Sequence, residues 1–171
     1  MMGMDKRHPG LTPGTATSYL EAASVSLHRH HKPPQEFALT YDRGEMRCEV
    51  SWETPSDTCL RGWANQDDAT RDGAYACALA AAELTSDLYA MRRAETMTGA
   101  DYYVAPTGID PNDLENQVRL EVSGTRCDET EVRRRLSRKI EQARSGRSNL
   151  PALAAVVGFK TKTIMMKSVT A

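Results

Sequence analysis

The sequence predicts an α+β domain: a central mixed sheet flanked by helices. Three observations predict it. Phe37, Leu39 and Tyr41, then Met46, Cys48, Val50 and Trp52, and later Val118, Leu120 and Val122, alternate apolar and polar positions with the period of half-buried strands. Two longer stretches, one Ala-rich and one basic, carry their apolar residues at helical spacing. Helices and strands then follow one another as α-β-β-α-(β)-β-β-α-β, an order that mixes hairpins with a crossover.

Taken in order, residues 1–14 are rich in Gly and Pro and read as a flexible N-terminal tail, and residues 15–171 as one α+β domain. "TATSYLEAASVSLHRHH" reads as a helix with Leu20, Ala23, Leu27 and His31 on one stripe, stopped by Pro33 and Pro34. His28, His30 and His31 are one and two positions apart, so on a helix they do not face a common point. They read as core or surface histidines rather than metal ligands. "DRG" joins the first two alternating runs into a hairpin. "TPSDTCLRGWANQ" reads as loop, and Asp67-Asp68 can cap the Ala-rich helix "ATRDGAYACALAAAELTSDLYAMRRA". Cys77, Ala81, Leu84, Leu88 and Met91 form its core-facing stripe, with Gly73 near it to let another backbone come close.

A short strand around "RAETM" follows, then "DYYVA", a loop "PTGIDPND" and the strand "NQVRLEVSG". Asp128 opens the basic helix, with Glu131 three residues on in a capping-box arrangement. "LAAVVGF" has the length and composition of a fully buried strand, and "KTKTIMMKSV" is a further strand or a tail packed on the body.

Composition excludes several classes. No stretch approaches the roughly 20 apolar residues of a membrane span, and the start of the chain has no apolar targeting segment, so a soluble, cytoplasmic protein without a membrane partner is expected. Cys48, Cys59, Cys77 and Cys127 are widely spaced with no C-x-x-C pair, and read as reduced thiols. Net charge is −1, yet residues 126–171 hold seven Arg and four Lys against four acids. That third of the chain is a candidate anion-binding face; the competing reading is a solvated helix face with i,i+4 ion pairs. Tyr102 and Trp63 could serve an interface, though partial burial explains each equally well.

Two acids interrupt the apolar strands. Asp101 opens "DYYVA" and Glu121 sits in the middle of "QVRLEVS", on the polar face with Arg119 and Ser123. If the two runs pair so that Val104 faces Val118, Asp101 falls opposite Glu121. Like charges directly opposite destabilise a sheet unless compensated. A hard divalent cation such as Mg²⁺ would compensate, held by the two carboxylates plus waters and phosphate oxygens. Arg119 offers the competing explanation, a guanidinium beside the pair. On the basic helix, Val132, Leu136, Ile140 and Ala143 share a stripe, and at about 100° per residue Lys139 lies within it. It must snorkel to the edge or meet a carboxylate. Arg133, Arg134 and Arg138 lie off the stripe.

An acid on one strand, a second on the adjacent strand, then a helix and another strand resembles the PD-(D/E)XK nuclease-like superfamily, whose restriction endonuclease-like core is αβββαβ. "TGADYYV…RLEVSG" is similar to a group of bacterial proteins with this two-acid pattern. The resemblance runs from residue 68 to about 160 and makes the N-terminal helix and β-hairpin an addition to the core. It implies that Asp101 and Glu121 ligate Mg²⁺ or Mn²⁺. The family's lysine stands two residues after the Glu, where this chain has Ser123; some members carry it on the following helix, and Lys139 matches that role. Many members also have an acid on the first core helix, where Glu83 is available but off the stripe. The implied function is metal-dependent hydrolysis of nucleic-acid phosphodiesters in a restriction or phage-defence setting, with Arg133, Arg134 and Arg138 on flanking phosphates. The alternative is a catalytically inactive nuclease-fold subunit that binds a protein partner, a second copy of itself or nucleic acid.

Overall fold

The computed structural model describes residues 3–95, 98–145 and 148–170. In chain order these form α1 (Met4–Arg7), α2 (Pro13–His28), β1 (Gln35–Tyr41), β2 (Gly44–Val50), α3 (Asp57–Gly62), α4 (Gln66–Ser86), β3 (Tyr89–Arg93), β4 (Tyr102–Ala105), β5 (Val118–Thr125), α5 (Glu129–Ser145), β6 (Ala152–Gly158) and β7 (Thr163–Val169). All seven strands join one mixed sheet in the order β2-β1-β7-β6-β5-β4-β3. β3, β4 and β5 form an antiparallel meander, α5 carries the chain over to β6, parallel to β5, and β7 returns antiparallel. The N-terminal hairpin closes the other side through a parallel pairing of β1 with β7, Ala38 beside Thr163.

The sheet is covered on both faces. Against one lie α2 and α4, where Leu27, Ala74, Ala78 and Leu79 pack with Leu120, Val122, Leu153, Ala155 and Val157. Small residues set the spacing: a Cβ on Gly73 would come within 2.8 Å of the Ala23 backbone, and one on Gly124 within 2.5 Å of the Thr70 carbonyl. α5 lies against the other face, its Val132, Leu136, Ile140 and Ala143 meeting Ala152, Ala154, Val156, Met165 and Val169.

Several expectations are corrected. The first 14 residues are not a loose tail where they are described: Met4, His8 and Leu11 are buried. The segment expected as loop before α4 contains α3, capped by the Ser56 hydroxyl. α4 begins one turn early, capped by Asn65, with Asp67 and Asp68 inside its first turn. It also ends early, at Asp87 in the left-handed region (φ 53°). Leu88 and Met91 therefore fall beyond the helix, and Leu84 is 56% exposed. Being wedged between α2 and the sheet, α4 buries nearly its whole circumference with alanines, so its few leucines do not mark the packed side. The strand expected around residues 93–97 lies earlier, at Tyr89–Arg93, because Asp87 releases the chain from the helix; Thr96 and Met97 lie outside the described residues. "KTKTIMMKSV" is a strand, β7. No described helix is long and apolar enough to cross a membrane.

The two edges of the sheet differ. At β3, Ala90 donates its N–H to His8 Nδ1 (2.9 Å) and accepts from Gly10 N–H (2.8 Å). His8 is held in turn by Glu83, 3.2 Å from its Nε2. At β2, most residues are exposed and the described partner is β1 alone.

Candidate active site at the split between two strands

β4 and β5 pair in the register that matches their apolar faces, Val104 with Val118, Tyr103 with Arg119 and Tyr102 with Leu120. One step further, the Asp101 N–H still donates to the Leu120 carbonyl (2.8 Å), but the strands then part. Buried backbone donors need acceptors, and Asp101 supplies one by side chain: its Oδ2 accepts from the Val122 N–H at 2.7 Å. Its Oδ1 accepts from the Tyr75 hydroxyl of α4 at 2.9 Å.

Glu121 projects from β5 to the α5 side and is 1% exposed. Lys139, on the inner flank of α5, brings its Nζ to 2.6 Å from Glu121 Oε2 and 3.9 Å from Asp101 Oδ2. Gln142 Nε2 donates to the other Glu121 oxygen at 3.3 Å. Asp101, Glu121 and Lys139 are thus brought together from three elements. Burial pushes the Glu121 carboxyl above its ordinary range; the Lys139 hydrogen bond and charge pull against this, and the charge of Asp101 adds to the rise. Burial, helped by Asp101, also pushes the Tyr75 phenol up to about 12.

Arg119 does not stand between the acids. It turns the other way, fully buried, to donate to the carbonyls of Ala143 (3.1 Å) and Leu150 (3.1 Å) near the end of α5. The cation beside the acid pair is Lys139, with Arg93 4.0 Å from Asp101 on the other side. Arg93 lies over the rings of Tyr75 and Tyr102 (4.4 and 4.8 Å) and donates to the Tyr75 hydroxyl (3.0 Å). Tyr102 is buried and bonds Tyr19 by its hydroxyl (2.8 Å), so it offers no interface; Trp63 donates to Glu21.

Beside Asp101 opens a polar cleft of about 470 Å³, bordered by Tyr75, Ser123, Arg71, Arg126, Arg135 and Lys139. Arg133, Arg134 and Arg138 do not line it. Arg133 pairs with Glu129 (2.5 Å) and Arg134 with Glu131 (2.5 Å) along the outer side of α5, while Arg138 is exposed. Arg135 occupies the place expected of them, donating to the Gly124 carbonyl (2.7 Å) and to Ser123 Oγ (3.3 Å). Glu83, at the far end of α4, is engaged by Arg7 and His8.

Sequence reasoning missed Tyr75, Arg93, Arg135 and Gln142. Arg135 and Gln142 were legible, since they flank Lys139 four and three positions away on the same side of the helix. Tyr75 is the one large polar side chain in an alanine run, but nothing in the sequence pairs it with Asp101. Among the described residues no group of three or more His, Cys, Asp or Glu converges as a metal site. Asp101 borders the polar cleft and Glu121 lies buried behind it, and each oxygen of the two carboxylates, the donor type a hard cation takes, is held by a donor of the protein.

Comparison with protein-family models, with curated proteins and with solved structures gives no match.

Proposed function

We propose that this chain is a metal-dependent nuclease-like protein that hydrolyses nucleic-acid phosphodiesters at the split between β4 and β5. The observation that carries this reading is the convergence of Asp101, Glu121 and Lys139, with Asp101 and Lys139 bordering a cleft that Arg71, Arg126 and Arg135 also line. The order α4-β3-β4-β5-α5-β6, with β5 and β6 parallel, supports it as well, since a restriction endonuclease-like core would have the succession αβββαβ.

In this reading Asp101 and Glu121 would hold Mg²⁺ or Mn²⁺, and the ion would supply Lewis-acid charge and an acidified water. The protein's own groups do the rest. Val122 N–H and the Tyr75 hydroxyl fix the Asp101 carboxylate, and Gln142 fixes that of Glu121. Lys139 presents its ammonium where negative charge develops. Arg71, Arg126 and Arg135 neutralise flanking phosphates, which makes binding strongly salt-dependent.

The test is cleavage of single- and double-stranded DNA and RNA with Mg²⁺ or Mn²⁺, comparing wild type with Asp101→Asn and Glu121→Gln after circular dichroism has checked their folding. Cleavage should stop with a chelator and fall at least about 100-fold in either variant. Undiminished cleavage by either variant overturns the assignment.

One observation favours a second reading, a non-catalytic module: Lys139 already pairs with both acids, and both Asp101 oxygens already have donors. Calorimetric titration separates the two, because Mn²⁺ binding that requires both Asp101 and Glu121 removes the second reading.

A further inference from the structure

The two edges of the sheet are finished differently. The outer side of β3 is occupied at Ala90 by the N-terminal segment, whereas β2 runs seven residues with no strand on its outer side among the described residues. The two-residue loop between β1 and β2 closes on Tyr41 and Gly44. Such a loop closes on a hydrogen-bonded pair, so Gly44, Met46, Cys48 and Val50 bond to β1 while Glu45, Arg47 and Glu49 turn their backbone N–H and C=O groups outward. An open row of this kind is a template for another strand.

The side chains on that row alternate in sign, so charge selects the strand that fits. A two-fold axis at Arg47 would set Arg47 against itself and Glu45 against Glu49. An axis at Met46 instead sets Glu45 against Arg47 twice, with Met46 facing its own copy and Glu49 reaching the loop that holds Arg43. An axis at Cys48 sets Arg47 against Glu49 twice, but it leaves Glu45 opposite Ser51, beyond the strand, and separates the two Met46 side chains, so of the two only the Met46 axis uses Glu45. In the single chain Arg47 is held loosely, 3.9 Å from Glu36 and 4.0 Å from Glu45. Met46 is 42% exposed, one of two exposed large hydrophobic residues among those described. The other, Leu84, borders an apolar cavity of about 270 Å³ beneath this hairpin, as do Cys48 and Val50.

We propose that the protein is a homodimer in which β2 pairs antiparallel with β2 of a second copy about Met46, continuing the sheet through both chains. The interface lies at the opposite side of the sheet from Asp101 and Glu121, so it does not depend on the nuclease reading.

Sedimentation equilibrium tests it. The 18.9 kDa chain should sediment at twice its mass. Arg47→Glu and Glu45→Arg should each weaken association about tenfold, by turning two attractive cross-strand pairs into repulsive ones. The double variant Glu45→Arg/Arg47→Glu should recover it. A monomer at every concentration, a dimer indifferent to the single variants, or a double variant that fails to recover overturns the proposal. A second measurement fixes the axis. Facing non-hydrogen-bonded residues have Cα atoms about 4.5 Å apart, within disulfide reach. Met46→Cys, with Cys48, Cys59 and Cys127 changed to Ser, should therefore oxidise to a covalent dimer, and absence of that cross-link overturns the Met46-centred pairing.

Discussion

The two faces of the sheet are built from the same strands on different terms. β5 sends Leu120, Val122 and Gly124 to the α4 face and Arg119, Glu121 and Ser123 to the α5 face. On the first, alanine and glycine let α4 approach until at Gly124 not even a Cβ fits between helix and strand. On the second, α5 is held by a narrow apolar stripe, and its flank is left for Arg135, Lys139 and Gln142 to meet the polar residues of the strand. A buried acid is tolerable on one face because the other supplies the close packing.

The sharpest way to break the comparison is to put volume where α4 touches β5. Gly124→Val would drive its side chain into the Thr70 carbonyl and the Ala74 methyl, and should cost about 3 kcal/mol by urea denaturation. A volume change of that size on the α5 side of the same strand, at half-buried Ser123, should cost less. Next in size is Lys139→Met, which keeps the stem and removes the charge beside buried Glu121; it should cost about 2 kcal/mol at neutral pH.

The pH dependence of that loss has a definite sign. Folded Glu121 holds its proton more tightly than the unfolded chain does. Its contribution to stability is therefore full below the unfolded carboxyl value of about 4.3 and is lost as pH rises through the folded value. Removing Lys139 deepens that loss, so the gap between variant and wild type should widen as the solution is taken from acid to neutral. A gap that narrows instead would mean that Lys139 does not compensate Glu121. Smallest is Arg133→Ala: its pair with Glu129 is exposed along the helix, and no measurable change in melting temperature is expected.

Much of this division was legible in the sequence. Alternation in "QVRLEVS" separates the two faces, and the helical spacing of Val132, Leu136, Ile140 and Ala143 places Lys139 toward the sheet. Matching the apolar runs gives the β4–β5 register, and with it the approach of Asp101 to Glu121. What was hidden depends on partners distant in the chain. Arg119 reads as a neighbour of Glu121, but the carbonyls it satisfies belong to Ala143 and Leu150. α4 looks like a helix with one leucine-marked side, yet α2 and the sheet bury it from both directions. The N-terminal segment has the composition of a tail, and only the exposed edge of β3 gives His8 and Gly10 their place.

The parallel pairing of β1 with β7 orders events in time. A chain emerging from the ribosome makes the β1–β2 hairpin early, but the strand that ties it to the sheet is the last of the seven described strands to appear. Until then the hairpin's inner edge stays open, and it is joined to the body through one of the most non-local contacts this topology contains, which slows folding. The meander, α5 and β6 can assemble before that moment. The hairpin should therefore dock last during synthesis, making the β1–β7 seam the step at which a stalled or truncated chain is left with an unfinished sheet.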